Sequence, residues 1–202
     1  ESFLLPQHAD CHPVPVGHSL LLIFYSRATG DKPDIPDIPD ITGKLASRLD
    51  ACFPESRYTI GISGASQPLT ELKDTYRQSS AAVTMAKYTR NKLYFYDDMG
   101  FFRLLLAVKN NSLLESYAEE YLGSLIEYDR THDSSYTETL RQYLLCDGSI
   151  QMIASHLFCH RNTINYRVKT LRENWDLNLD DPELRFQLMT SFLILDYLKL
   201  KL

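Results

Sequence analysis

The stretch "ASHLFCHRNTINYRVKTLR" (154–172) carries four of the chain's 21 Lys and Arg residues and no carboxylate. The whole chain of 202 residues nevertheless has a formal net charge of −5. Association with a charged partner depends on the field of the local surface and not on the net charge. A solvated helix normally mixes both signs of charge, so this stretch predicts a basic surface that faces an anionic partner.

The apolar residues of this region recur at the spacing of two helices joined by a short turn. Ser149 follows Asp147-Gly148 and can cap the first helix. The predicted buried faces are Ile150, Ile153, Ala154 and Leu157 in the first helix, and Ile164, Val168 and Leu171 in the second. Small Ala154 would let the two helix axes cross closely, which is typical of a helix-turn-helix. Phe158 stands where that turn often has glycine, so the turn lacks the residue that adopts a left-handed backbone most cheaply.

The outer face of the second helix predicts contact with double-stranded DNA. With the apolar stripe inward, a rotation of about 100° per residue places amides, hydroxyls and cations outward. Asparagine pairs with adenine, arginine with guanine or phosphate, and Thr, Tyr and Lys suit phosphate oxygens. The candidate DNA-binding residues are His160, Arg161, Asn162, Thr163, Asn165, Tyr166, Lys169 and Arg172. Arg167 lies at the edge of the buried stripe, and both a structural role and a DNA contact are compatible with that position.

The N-terminal part of the chain alternates between strand and helix patterns. Residues 1–18 are interrupted by prolines and are predicted to form a loop, whereas the apolar run at 19–25 predicts a buried strand. Prolines at 33, 36 and 39 predict an exposed, extended loop. The segments that follow are a helix at 42–53, a strand at 57–63, a helix at 65–88 with Ser66 as its cap, and a strand at 92–96.

From residue 98 onward the patterns are helical. The predicted helices are 98–108, 111–130, 135–146, 149–158, 161–174 and 183–200. The sequence therefore predicts an α+β fold, in which a small α/β sheet domain (1–105) precedes an all-α helix-turn-helix domain (106–202). The last helix is apolar almost all round, so it belongs in the core or between two copies. A homodimer is expected, because one small helix-turn-helix makes few DNA contacts and two-fold operators require two.

Composition narrows the class of protein further. Apolar residues make up 44% and charged residues 23% of the chain, which predicts a folded protein. The four cysteines form no CxxC pair and are expected to be reduced thiols of a cytoplasmic protein: Cys11, Cys52, Cys146 and Cys159. No apolar run approaches the roughly 20 residues of a membrane span, and no signal peptide is recognised. The start without methionine suggests a fragment of a longer protein.

A longer stretch, "DGSIQMIASHLFCHRNTINYRVKTLRENWDLNLDDPELRFQL" (147–188), resembles the C-terminal helix-turn-helix of PucR/CdaR-type bacterial transcriptional regulators. The residues that match that pattern are His160, Arg161, Asn162, Thr163, Tyr166, Arg167 and Asp180 to Glu183. The segments at 58–88 and 92–106 are similar to the degenerate GGDEF-like region that precedes it. The resemblance implies a regulator of catabolic genes that responds to a small-molecule effector sensed by a domain outside this chain.

Three alternatives to a DNA-binding regulator are a nucleotide cyclase, a metal-binding protein, and an interaction module whose apolar last helix is shared between protomers. A nucleotide cyclase of the GGDEF type needs a Gly-Gly turn and acidic metal ligands, and the sequence contains no Gly-Gly. The segment "GISGAS" (61–66) is only a weak phosphate-binding pattern. No enzyme activity is therefore expected. Two clusters could hold a metal, but neither has zinc-finger spacing: His8, Cys11, His12 and His18, and His156, Cys159 and His160. No metal or other cofactor is expected.

Overall fold

The computed structural model describes residues 9–26, 37–64 and 68–201. The chain divides into two units, the first ending at Tyr94 and the second starting at Phe95. The described part of the first unit contains strands and helices, and that of the second unit is almost entirely helical. The fold is α+β with an all-α C-terminal part, which confirms the predicted fold class.

A hairpin opens the described part of the first unit. Its strands, β1 (Ala9–Val16) and β2 (Ser19–Ser26), pair in antiparallel register from Val16 opposite Ser19 to Ala9 opposite Ser26. The loop predicted for residues 1–18 is therefore wrong where the structure describes it. Pro13 and Pro15 are two residues apart, so their nitrogens face the same edge of β1, where a strand tolerates proline.

The four described strands form two separate two-stranded sheets, not the one small sheet that their order along the chain predicts. β2 pairs with β1, and β3 (Ile60–Ile62) pairs with β4 (Leu93–Phe95). β2 coincides with the strand predicted at 19–25, but it is not buried as predicted: Leu20 is 63% exposed. A two-stranded sheet covers little surface, which explains why its apolar side chains stay partly in water.

Helix α1 (Ile38–Cys52) begins earlier than the helix predicted at 42–53. Pro39 was expected to exclude a helix, but it occupies the second helical position, where the missing amide proton has no partner within the helix anyway. The Asp37 carboxylate caps this end by accepting a hydrogen bond from the Asp40 amide, at 3.1 Å. The loop predicted around prolines 33 and 36 lies outside the described residues.

Helix α2 (Leu72–Thr89) follows a short 3-10 helix and is shorter than the helix predicted at 65–88. The capping role predicted for Ser66 lies outside the described residues. α2 packs against β3 at Gly61, where an added Cβ would lie 2.3 Å from the Val83 amide nitrogen and 2.4 Å from the Ser79 carbonyl oxygen. Gly61 is therefore required by the close approach of strand and helix.

The helices of the second unit agree with the segments predicted from residue 98 onward. They are α3 (Phe102–Ala107), α4 (Asn111–His132), α5 (Tyr136–Leu145), α6 (Ile150–His156), α7 (Arg161–Asn174) and α8 (Pro182–Lys201). A short 3-10 helix (Tyr96–Met99) precedes α3. The domain limit predicted between residues 105 and 106 falls inside α3, whose buried Leu105 packs with residues of α4 and α8.

Helix α8 contributes to two clusters of buried side chains, which explains its apolar residues on all sides. Leu188 and Phe192 belong to a larger cluster with side chains of α4, α5, α6 and α7. Ile194 and Tyr197 belong to a smaller cluster with α3 and α4. The core position expected for this helix is therefore confirmed, and a homodimer stays a prediction.

Candidate nucleic-acid interface

Helices α6 and α7 form the predicted helix-turn-helix. Ile153 of α6 and Ile164 of α7 are both fully buried in the same cluster, and Ala154 packs against that cluster. Val168 and Leu171 continue the buried stripe of α7 and lie in the same cluster. The buried face predicted for α7 is confirmed, and the helix has its opposite face toward solvent.

The turn between the two helices does use a left-handed residue. The Cys159 amide donates to the Ala154 carbonyl at 3.0 Å and thereby closes the end of α6. This closure requires a positive φ at the residue before it, and Phe158 has a φ of 52°. The turn is therefore of the type that usually contains glycine, but it is built with phenylalanine.

His160 caps the start of α7. The Asn162 amide donates to His160 Nδ1 at 3.2 Å, and the Thr163 amide donates to the His160 carbonyl at 2.9 Å. Because Nδ1 accepts a hydrogen bond, a neutral imidazole here carries its proton on Nε2. The ring is exposed, so this N–H can donate to a bound anion.

Seven of the eight residues predicted to bind DNA are exposed on the turn or on α7. They are His160, Arg161, Asn162, Thr163, Asn165, Tyr166 and Lys169. Lys169 lies 3.7 Å from the carboxylate of Glu173, and both side chains are more than half exposed. Such a surface ion pair contributes little, so it leaves the ammonium group available to another anion.

Arg172 differs from these seven residues because its guanidinium group is hydrogen-bonded to other side chains of the protein. Its two terminal nitrogens donate to the Asp180 carboxylate at 2.7 and 3.0 Å, and one of them also donates to the Tyr143 hydroxyl at 3.2 Å. The hydrogen bonds with Asp180 raise the pKa of Arg172, and the same hydrogen bonds lower the pKa of Asp180. Arg172 therefore ties α7 to α5 and to the loop before α8.

Arg167 has a structural role, one of the two roles that the sequence left open. Its Nη1 donates to the Thr139 hydroxyl at 3.3 Å, and Thr139 is fully buried in α5. The Thr139 hydroxyl in turn donates to the Ser135 carbonyl at 2.8 Å. Arg167 and Arg172 thus hold α7 against the same neighbouring helix.

Two polar anchors of the surrounding helices were missed by the sequence analysis. Asp196, in the apolar helix α8, is 4% exposed and forms a two-point ion pair with Arg141 of α5. Asp129 of α4 accepts hydrogen bonds from the amides of Tyr136 and Thr137, at 2.9 and 2.7 Å, and so caps α5. A carboxylate directly after the apolar run Phe192–Leu195 of α8 was a visible signal for the first anchor.

An aromatic cluster supports the C-terminal end of α7. Trp175 follows the helix directly, and its ring centroid lies 5.0 Å from that of Tyr128 and 5.4 Å from that of Tyr136. The Tyr128 ring also stacks on His132, with the ring centroids 4.0 Å apart. These rings pack on one another and fix the end of α7 on α4 and α5.

The metal-ligating clusters that were weighed are not assembled within the described ranges. No group of three or more His, Cys, Asp and Glu side chains in the described part of the chain could hold a metal ion. Of the second cluster, Cys159 donates to the Leu157 carbonyl and His160 caps α7. His156 Nδ1 lies 3.1 Å from Gln142 Oε1 and 3.5 Å from Cys146 Sγ. The first cluster includes His8, which lies outside the described residues.

Among the described residues, the helices are too short or too polar for any of them to traverse a lipid bilayer.

Comparison with known proteins agrees with this geometry. Residues 136–194 match the PucR C-terminal helix-turn-helix domain. This range begins with α5 and contains α6, α7 and most of α8. The match therefore covers the helix pair together with the two helices that pack against it. No solved structure matches the chain.

Three curated relatives are transcription regulators of Bacillus subtilis (strain 168). The proline-responsive transcriptional activator PutR is 28% identical over 139 residues, which are 67% of this chain and 34% of PutR. The purine catabolism regulatory protein is 30% identical over 134 residues, which are 64% of this chain and 24% of that regulator. The DNA-binding transcriptional activator AdeR is 22% identical over 132 residues. The chain thus spans about a third or less of the length of these relatives. The capped helix pair and these matches agree: residues 136–194 form a helix-turn-helix domain of the PucR type, and the chain is similar over about two thirds of its length to curated transcription regulators.

Proposed function

We propose that α7 enters the major groove of a DNA duplex with its N-terminal half and reads sequence there. The observation that carries this proposal is the run of exposed donors and cations at the start of α7, in a stretch without a carboxylate from residue 154 to 172. The buried stripe of the same helix leaves this face directed to solvent. An exposed helix of that kind fits the width of the major groove.

The exposed side chains divide by chemistry into base-reading and phosphate-binding residues. The amides of Asn162 and Asn165 suit adenine, and Arg161 suits guanine or a phosphate. Thr163, Tyr166 and Lys169 suit phosphate oxygens, and the His160 Nε2–H group is a further phosphate donor. Arg172 would contact DNA only if it left Asp180, so its proposed contribution is to orient α7.

The regulated genes and the signal are proposed from the relatives. PutR is described as proline-responsive, and another relative as a purine catabolism regulatory protein. We infer that this protein controls catabolic genes in the cytoplasm and responds to a small metabolite bound outside this chain. A homodimer would supply the second helix-turn-helix that a two-fold operator requires.

A nucleotide cyclase is not favoured, and we infer that the chain is not an enzyme. The proposal is supported by three curated relatives that are named as regulators or activators. Incubation of the purified chain with GTP and Mg²⁺ is expected to leave the GTP unchanged. Formation of a cyclic nucleotide above the rate of a chain-free control would contradict this inference.

The DNA-binding proposal is tested with duplexes that the 202-residue chain selects from a random-sequence pool. Asn162→Ala is expected to weaken binding by about 1–3 kcal/mol on the selected duplex and to relax specificity at one base pair. Lys169→Ala is expected to weaken binding to selected and random duplexes alike and to reduce the salt slope by about one. Titrations at several salt concentrations measure both effects.

Lys199→Ala provides the matched control, because Lys199 is also an exposed helical lysine but lies on α8. It is expected to bind both duplexes like the parent chain. The assignment of the interface to α7 would be contradicted if Asn162→Ala and Lys169→Ala bound DNA with the affinity and salt dependence of the parent.

A further inference from the structure

Phe158, in the turn between α6 and α7, is unusual in two independent ways. Its side chain is 97% exposed, the most exposed of the large apolar residues in the described part of the chain. Its backbone is left-handed, with a φ of 52°. A bulky side chain disfavours this conformation, and an exposed aromatic ring gains nothing from the hydrophobic effect.

The fold explains the backbone of Phe158 but not its ring. The hydrogen bond from the Cys159 amide to the Ala154 carbonyl requires a left-handed residue at this point, and glycine satisfies that requirement at least cost. Within the described structure the ring is almost completely in water. A role outside the folding of this chain is therefore needed to account for a phenylalanine here.

The surroundings of the ring indicate the chemistry of its partner. Phe158 lies two residues before His160, so their Cα atoms are at most about 8 Å apart. His160, Arg161 and Asn162 are exposed, and the stretch from 154 to 172 has no carboxylate. An apolar ring beside cations and hydrogen-bond donors is complementary to a partner that is anionic and also has apolar atoms.

We propose that the Phe158 ring is an apolar DNA contact, on thymine methyl groups or deoxyribose at the edge of the groove that α7 enters. Duplex DNA combines phosphates with the thymine C5-methyl group, which phenylalanine side chains contact in the major groove. The proposal rests on the proposed function of α7 and adds a contact made by the turn. The contact would cover a ring that the folded chain leaves in water.

The decisive variant is Phe158→Gly, because stability and DNA affinity should change independently. Glycine adopts the left-handed backbone without steric strain, so the melting temperature is expected to be unchanged or higher. Affinity for the selected duplex is expected to fall about tenfold, because the apolar contact is lost. Phe158→Leu, which keeps apolar surface, is expected to retain most of the affinity. A lower melting temperature for Phe158→Gly would assign the ring to the fold and overturn the proposal.

The two apolar features of DNA are distinguished with a selected duplex that contains deoxyuridine in place of thymidine. A contact with the methyl group predicts that the parent binds this duplex more weakly and that Phe158→Gly binds both duplexes equally. A contact with deoxyribose predicts that Phe158→Gly loses the same affinity on both. Phe186→Ala, at a 66% exposed phenylalanine of α8, is the control and is expected to bind like the parent.

The outcomes also separate this proposal from the proposed function of α7. If Asn162→Ala loses affinity and Phe158→Gly does not, α7 is the DNA-reading helix and the proposal for the ring fails alone. If neither variant loses affinity, the function of α7 fails as well. If Phe158→Gly binds DNA like the parent but no longer supports transcription by purified RNA polymerase, the ring contacts a protein, and the DNA proposal is overturned.

Discussion

An arginine stands near each end of α7, and the two arginines have opposite roles. Arg161 stands at the start of the helix with its side chain exposed, whereas Arg172, three turns later, is held by Asp180 and Tyr143. A cation in a basic stretch is therefore not by itself a DNA contact. What decides its use is whether the fold brings a carboxylate or a buried hydroxyl group within hydrogen-bonding distance.

The position of Asp180 explains the difference. The loop before α8 is fixed by Leu179, which is fully buried in the cluster beneath α7. The Asp180 amide also donates to the Asn178 side chain at 3.3 Å. The neighbouring carboxylate is thereby directed toward Arg172, while the start of α7 has no carboxylate near it in sequence. One end of the helix is consequently anchored, and the other end is available to DNA.

The strongest test of this comparison contrasts an inner with an outer residue at adjacent positions. Ile164→Ala removes a fully buried side chain and is expected to lower the free energy of unfolding by about 2–5 kcal/mol. Asn165→Ala changes an exposed residue and is expected to alter it by less than about 0.5 kcal/mol, while weakening DNA binding. Urea unfolding and DNA titration measure the two quantities. Equal losses of stability would contradict the assignment of the outer face.

A smaller effect is expected when the two arginines are compared directly. Arg172→Ala should lower the free energy of unfolding by about 1 kcal/mol, because it removes the ion pair with Asp180 and a hydrogen bond to the buried residue Tyr143. Arg161→Ala should leave stability within about 0.5 kcal/mol of the parent and reduce DNA affinity. If Arg161→Ala destabilised the fold more than Arg172→Ala, this result would contradict the assignment of the Arg172 end as anchored and the Arg161 end as available to DNA.

The smallest effect concerns the pH dependence of the anchored end. Hydrogen bonds from Arg172 lower the pKa of Asp180 below its ordinary value of 3.8. The ion pair therefore contributes its full stabilisation at a pH above the ordinary pKa of an aspartate. This stabilisation is lost as the pH falls through the lowered pKa of Asp180 in the folded state. The difference in unfolding free energy between the parent and Asp180→Asn should accordingly be constant near neutral pH and should decrease toward zero in acid. Asp176→Asn, at another exposed carboxylate, is the control. A difference that persisted undiminished in acid would exclude the ion pair as its cause.

The sequence predicted the helical unit well, because its information is local. The buried stripe of Ile164, Val168 and Leu171 follows the helical period, and the limits of α7 agree with those predicted. The same helical period also predicted which residues at the start of α7 are exposed. The contacts of Arg167 with Thr139 and of Arg172 with Tyr143 could not be predicted in this way, since these partners are 28 and 29 residues distant.

The N-terminal unit was predicted less well, because the same residue signals different structures in different contexts. Pro39 was interpreted as an interruption but stands in the first turn of α1. Pro13 and Pro15 were interpreted as loop residues but lie in β1. Proline excludes only the positions that need its amide proton, and which positions do so depends on pairing partners that a single sequence does not reveal.

The double attachment of α8 has a practical consequence for anyone who wishes to isolate the DNA-binding part of this protein. The family match begins at residue 136, but Leu122 and Leu125 of α4 share a cluster with Phe192, and Ala118 shares another with Tyr197. A polypeptide cut at residue 136 would lose that covering layer and present the apolar flank of its last helix to water, with aggregation as the expected result. A fragment that is meant to fold on its own should therefore begin upstream of α3.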